Sequence, residues 1–503
     1  MKQKNTKSSS VLKRLTISDR IVIGSILIVS FLLRFLAYHN RWGLGPDQAQ
    51  FAVTGLYAVR TFHIPLLGPF SSSGPFQTGG EWYWLIMVGQ ILFPFMLNGA
   101  WVFMGALSML FVALMMITGW QLGGRRLAYV AGILSAVSSA EMTQSTNLSN
   151  QTPIAVFALF AIMSGVMYLR TKKTRFMFLA AVSVGIASTI HLQGIALAPV
   201  VIMLLLLIKP TLSSVAAAIA GMGLPWIPVE IADSHNHWYN ISHMIHYYLV
   251  DQYAISLNVL GRNWRTFLAT TLPHFWAFTI GNYSLIAIIT MCCGGGIIAF
   301  YLWKKKWSKD WIFLIGSFLL MTIIVRYAHV PLYESFVVFS HPFILLLTAG
   351  VIVTFFNYSA ILGIICAIIL IAGSMVKNVE EIRHAINLSD QEATRIQNAL
   401  MKKFPNEKFT LFGRFHSSQS LQPFFYLYYH NLISDTGKPI GVANAAETGY
   451  GKVPTLITDL YGTKIVDLRN ASPSAQREYH WTIISGKSIY DSTQDWFNQP
   501  QTN

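Results

Sequence analysis

The chain has 503 residues, of which 53% are hydrophobic and only 11% charged, with a mean hydropathy of +0.48 and a formal net charge of +15. A soluble domain carries about 25% charged residues, so a large soluble core is excluded and a polytopic membrane protein is expected. Residues 377–503 hold 13 basic and 12 acidic side chains and residues 1–376 hold 23 and 9, so the positive excess sits in the loops of the apolar part. There it argues for membrane topology and against nucleic acid as a partner.

In chain order, a basic tail (1–20, with Lys2, Lys4, Lys7, Lys13, Arg14 and Arg20) precedes the first apolar run, IVIGSILIVSFLL at 21–33. No small-residue cleavage site follows it in FLAYHNRWG, so it is read as a retained span. Eleven spans are expected, near 21–38, 101–119, 127–141, 153–169, 176–190, 193–208, 214–230, 283–303, 311–328, 337–356 and 359–376. The aromatic run WYWLIMVGQILFPFM at 82–96 is short for a span and is read as a juxtamembrane helix. That choice puts Arg125 and Arg126, RTKKTR (170–175), Lys209 and KKKWSK (304–309) on the same side as the basic tail, which makes that side cytoplasmic. It also places two long loops, 39–100 and 231–282, and a domain at 377–503 outside the membrane. Within that domain DQEATRIQNALMKKF (390–404) reads as an amphipathic helix, and KFTLFG, KPIGVAN and TKIVDL read as strands, hence a small α/β domain. The three cysteines, Cys292, Cys293 and Cys366, all lie in apolar runs, so the domain has no disulfide framework.

With this topology every histidine of residues 1–376 falls on the outer side, together with most acids. The outer basic residues are arginines: Arg41, Arg60, Arg262, Arg265 and Arg326, with Arg34 inside the first span. Titratable chemistry is therefore concentrated at one membrane face. Asp47 follows Gly45-Pro46 just beyond the first span, where it reads both as a helix N-cap and as a general base at the bilayer face. Glu81 opens the aromatic helix, as a first-turn acid or a substrate contact. His191 marks a corner between two spans. Arg262, Arg265 and Arg326 are the candidate phosphate cations, Arg326 being either functional or paired with Glu334, and Tyr333 lies in the same VRYAHVPLYESF stretch. DSHNHWYNISHMIHYY (233–248) spaces Asp233, His235 and His237 as ligands on a strand face would be spaced, but its aromatic content favours an interfacial helix.

The order of outer aspartate, PLLGPFSSSG, then an aromatic juxtamembrane helix resembles the C-class glycosyltransferases, integral membrane enzymes that use polyprenyl-phosphate sugars. The branch it is most similar to contains aminoarabinose transferases and protein O-mannosyltransferases. The resemblance covers the whole layout, including the C-terminal outer domain. It implies Asp47 as catalytic base, contacts to substrate from Glu81, His191, Arg262, Arg265, Arg326 and Tyr333, and a polyprenyl-phosphate sugar as donor. The acceptor would be a lipid, glycan or protein hydroxyl, and the setting the plasma or inner membrane, with membrane lipids as further partners. Many family members have a second acid after the aspartate and another in the next outer loop. Here Gln48 takes the first place, and Asn147 or Asn150 in TQSTNLSNQTPI the second. A divalent metal held by paired carboxylates is thereby disfavoured, and no cofactor is expected. The rival readings are a transporter or flippase of lipid-linked sugars, which would show two related halves, and a non-catalytic envelope assembly protein.

Overall fold

The computed structural model describes residues 16–71, 74–250, 264–281, 283–304, 308–327, 334–413, 418–443, 455–458, 464–469 and 482–494. Helix α1 (Ile17–Phe35) starts at a capping box: the Thr16 hydroxyl accepts from the Asp19 N–H (3.2 Å) and the Asp19 carboxylate from the Thr16 N–H (2.7 Å). Helix α2 (Pro46–Thr61) follows a short turn. A two-stranded antiparallel hairpin, β1 (Leu67–Phe70) and β2 (Gln77–Gly79), then leads into α3 (Glu81–Leu92). At about 1.5 Å per residue α3 is about 18 Å long. That is too short to cross a hydrocarbon core of about 30 Å, and its Trp82, Tyr83 and Ile86 pack against α2 and the next helix.

The bundle continues with α4 (Gly99–Gly123), α5 (Arg125–Val137), α6 (Ser139–Ser145), α7 (Ile154–Thr171), α8 (Thr174–Ile190), α9 (Ala198–Leu207), α10 (Leu212–Gly223), α11 (Ile227–His235) and α12 (Tyr239–Leu249). After these come a short α13 (Trp264–Thr266), α14 (Leu272–Thr279), α15 (Ser284–Trp303), α16 (Lys309–Tyr327), a 3-10 segment (Glu334–Ser340), α17 (His341–Tyr358) and α18 (Ala360–His384). All eleven segments expected to span are helical. Among the described residues, seven helices are long and apolar enough to cross a membrane, and Thr174–Ile190 and Leu192–Leu207 are shorter apolar helices. The outward faces of α15 and α18 are almost wholly exposed aliphatic side chains, the surface that lipid would cover.

Two expected spans differ in detail. The one placed at 127–141 is broken at Ser138, between α5 and α6. The break frees the carbonyls of Ser135, Ala136 and Val137. The first two accept from the Arg34 guanidinium (3.1 and 2.9 Å) and the third from Asn378 Nδ2 (2.8 Å). Arg34, fully buried, is thus explained as a backbone ligand inside the bundle. The helix at the span placed at 359–376 runs on to His384.

That domain consists of α19 (Leu388–Lys403), β3 (Phe409–Gly413), α20 (Ser418–Tyr429), β4 (Lys438–Ala443), β5 (Thr455–Thr458), β6 (Lys464–Asp467), β7 (Thr482–Ile484) and a last helix, α21 (Gly486–Gln494). The sheet order is β5-β6-β4-β3-β7, parallel only between β3 and β4. The helix and all three strands read from the sequence are present. Helices α20 and α21 pack along α2, so the domain sits on the first long loop.

Candidate active site

The turn that carries Asp47 is fixed from behind. Trp42 and Leu44 are buried, Gly43 N–H donates to the Thr146 carbonyl (3.2 Å), and Pro46 sets the first helical residue of α2. Gly45, not Asp47, is the N-cap, and Gln48 Oε1 occupies the space where a Cβ at Gly45 would lie. Asp47 sits one residue inside the helix, is exposed, and has no hydrogen-bond or ion-pair partner among the described residues. The expected cap role is therefore not seen. The carboxylate stands free at the positive end of the α2 dipole.

Gln48, folded back, donates to Asn147 Oδ1 (3.3 Å). One amide from the first loop and one from the second thus bond to each other. The Asn147 loop goes on to touch the α8 corner: Asn150 Nδ2 donates to the Ile190 carbonyl (3.4 Å), and Gln151 Nε2 lies 3.3 Å from His191 Nε2. His191 Nδ1 accepts from the Gln193 N–H (3.2 Å). Burial pushes this histidine down to about 4, which keeps it neutral. Gln193 and the His191 ring in turn meet Ser335 and Phe336 of the 3-10 segment.

On the other side of the α8 corner lies Glu81, 6% exposed, at the start of α3. Neither carboxyl oxygen has a hydrogen-bond partner in good geometry among the described residues. Burial pushes the acid up to about 7, against the weaker pull of its own N–H and the nearby Thr189 hydroxyl. Gly79 leaves the room it needs, since a Cβ there would be 2.1 Å from Glu81 Oε2. Beside it, burial raises the Tyr83 phenol, and the Asp47 charge adds to the rise.

Arg326, at the end of α16, is 5% exposed, and its Nε and Nη1 have no hydrogen-bond partner among the described residues. Its guanidinium lies over the rings of Trp264 (5.6 Å) and Tyr327 (5.1 Å), which themselves bond, Trp264 Nε1 to Tyr327 Oη at 3.3 Å. The alternative pairing with Glu334 does not occur: Glu334 bonds His274 Nε2 at 2.8 Å. Arg265 is exposed next to Trp264, while Arg262 and Tyr333 fall outside the described residues. A small apolar cavity lined by Val325 and Thr322 lies between α14, α16 and α17. It shares Leu272 and Phe318 with a cavity of about 510 Å³ lined by Trp276, Gly294, Gly295 and Gly350. The absence of side chains on α15 and α17 at these glycines makes the room.

Other candidates prove structural. Arg41 is buried, donates to the Leu33, Arg34 and Leu36 carbonyls at the end of α1, and pairs with Glu381. Asp233 and the histidines around it do not share a strand face. Asp233 accepts from the Asn240 and Ile241 N–H groups (2.8 and 2.9 Å) and so caps α12, while His235 and His243 bond carbonyls of their own helices. Among the described residues no three His, Cys, Asp or Glu side chains are gathered as a metal ion would require. Sequence reasoning missed Trp264, Gln151 and Gln193. A tryptophan before an exposed arginine was the only signal for the first, and amides in loops gave none for the others.

A helical membrane bundle with juxtamembrane helices in its first loop carries a small α/β domain seated on that loop. Two solved structures share this fold across nearly the whole chain. ArnT from Cupriavidus metallidurans in the apo state matches with a TM-score of 0.60 at 12% identity, covering 89% of this chain and 97% of ArnT. The same protein bound to undecaprenyl phosphate matches with 0.60 at 12%, covering 90% and 98%. The apo oligosaccharyltransferase of Archaeoglobus fulgidus matches with 0.50 at 12%, covering 84% and 65%. No family model and no curated protein matches the sequence.

Proposed function

We propose that this chain is an inverting glycosyltransferase that moves a sugar from a polyprenyl-phosphate carrier to a hydroxyl of a lipid, glycan or protein at the outer face of the membrane. One observation carries the reading. Arg326 presents a buried guanidinium with unused N–H groups next to Val325, which lines a small apolar cavity between α14, α16 and α17. An anion on an isoprenoid tail fits that combination. The phosphate would take bidentate donors from the planar fork, and the tail would lie between α14, α15, α16 and α17. That ArnT has been solved with undecaprenyl phosphate supports the same ligand class here.

Asp47 then acts as general base. Its carboxylate takes the acceptor hydroxyl proton, the acceptor oxygen bonds the anomeric carbon, and the bond from that carbon to the phosphate oxygen breaks with inversion. Charge grows on the departing polyprenyl phosphate, where Arg326, with Arg262 and Arg265, stabilises it. His191, held neutral, and Glu81, near the pH at which it exchanges a proton, line the sugar's side. The Gln48–Asn147 amide pair supports a mechanism that needs no metal.

The test is mass spectrometry of envelope glycolipids and glycoproteins with and without the gene, complemented by the wild type and by Asp47→Asn. One glycoform should vanish on deletion and return only with the wild type. Restoration by Asp47→Asn would favour a flippase or an assembly protein, since neither needs a base.

A further inference from the structure

We infer that the C-terminal domain sets the position of Asp47 through two side-chain amides, Gln422 and Asn387. The inference rests on Asp47 being the base. Three successive carbonyls lead into its turn, and each accepts from a side chain distant in sequence. Trp42 accepts from Asn387 Nδ2, Gly43 from Trp101 Nε1 (2.9 Å) and Leu44 from Gln422 Nε2 (2.7 Å). Only Trp101 belongs to the bundle. Gln422 lies on α20 and Asn387 caps α19, so two of the three ties come from beyond the last apolar helix.

The same domain also grips the far end of α2. Arg60 donates to the Tyr428 and Tyr429 carbonyls (2.9 Å each), and Tyr490 packs on Tyr57 with ring centres 5.1 Å apart. Domain attachment and turn placement are therefore separable. Arg60 anchors the domain more than three helical turns from Asp47. Gln422 and Asn387 hold the extended backbone that fixes where α2 starts. With Pro46 setting the first helical residue, a shift of that backbone moves the Asp47 carboxylate with it. A displacement of about 1 Å can cost about 10² in rate, and a buried carbonyl stripped of its donor drives such a shift. Neither amide touches a reacting group, so both are positioning residues.

The experiment uses the full chain in proteoliposomes, with a titrated extract of the parent cell's polyprenyl-phosphate sugars as donor and its envelope lipids and proteins as acceptor. Release of free polyprenyl phosphate is the readout. Gln422→Glu and Asn387→Asp keep the shape and lose the N–H donor; aspartate also preserves the α19 cap, where Asn387 Oδ1 accepts from the Asp390 N–H. Each should lower kcat by about 10–10² with KM for the donor unchanged, and Gln422→Lys, which restores a donor, should recover part of the loss. Arg60→Ala should lower the melting temperature but leave kcat near wild type. Wild-type kcat in both isosteric variants, an equal loss in Arg60→Ala, or failure of both isosteric variants to fold would overturn the inference. Asp47→Asn in the same assay separates the two levels. If it turns over, the base assignment falls; if it is dead while Gln422→Glu is normal, only the positioning role falls.

Discussion

Replacing Arg326 by alanine tests the donor site from the anion's side. The guanidinium is 5% exposed and two of its nitrogens lack hydrogen-bond partners among the described residues, so its removal strands no protein carboxylate. What is lost is the contact to a bound phosphate and the stacking on Trp264 and Tyr327. A hydrogen bond to a charged group is worth about 1.5–3 kcal/mol, and each 1.4 kcal/mol is a factor of ten. Affinity for undecaprenyl phosphate should therefore fall by about 10–10², measured with radiolabelled lipid and purified protein in detergent. Arg326→Lys keeps the charge without the fork and should fall between, and Arg265→Ala, from an exposed site, should lose less. The melting temperature of the ligand-free protein should change little, because removing a buried cation with no carboxylate partner offsets the lost stacking on Trp264 and Tyr327. Unchanged lipid affinity together with a lower melting temperature would show that Arg326 is a structural anchor, and the donor site would lie elsewhere.

Three further outcomes follow from the same geometry. Glu81 is raised from an ordinary 4.5 to about 7, so between these values the folded chain binds more protons than the unfolded one and this group's contribution to stability falls as pH rises; Glu81→Gln should flatten the decline in melting temperature across that window, and an unaltered slope would refute the assignment. Arg34→Met should leave the Ser135 and Ala136 carbonyls unpaired at the α5 break and cost about 1–3 kcal/mol for each, read as loss of the monodisperse peak in size-exclusion chromatography; a stable variant would mean that the break has other partners. A cysteine at exposed Asn406 should react with an impermeant maleimide on intact cells and one at exposed Arg175 only after lysis, and the reverse pattern would invert the topology.

The spans were legible because each is an uninterrupted apolar run, and the sheet strands because turn residues bound them. The break at Ser138 was not, because its compensation is remote: Arg34 lies 102 residues from Ala136 and Asn378 lies 241 residues from Val137. A short apolar helix pair and one straight span have the same composition. Asp47 could be found as a lone acid behind Gly-Pro at a membrane exit, and Arg326 as a cation at the end of an apolar run. Their surroundings could not. Glu334 was given the nearest arginine in sequence, while the fold gives it His274 from 60 residues away. Arg41 looked like a rim residue, because nothing local reveals that the open end of α1 curls over it. Gln422 and Asn387 carry no sequence signal, since an amide that holds a distant carbonyl resembles any surface amide.

The account turns on Asp47, and Asp47→Asn addresses it most directly. Because Gly45 caps α2 and the Asp47 side chain bonds nothing among the described residues, the substitution removes no structural contact. In proteoliposomes supplied with the cell's lipid-linked sugars, the variant should melt with the wild type and bind polyprenyl phosphate as well. Its rate of transfer should drop by about 10²–10⁴, the usual contribution of a general base. A variant that retains more than about a tenth of the wild-type rate, short of that expected loss, would contradict the account and move the search for the base to Glu81.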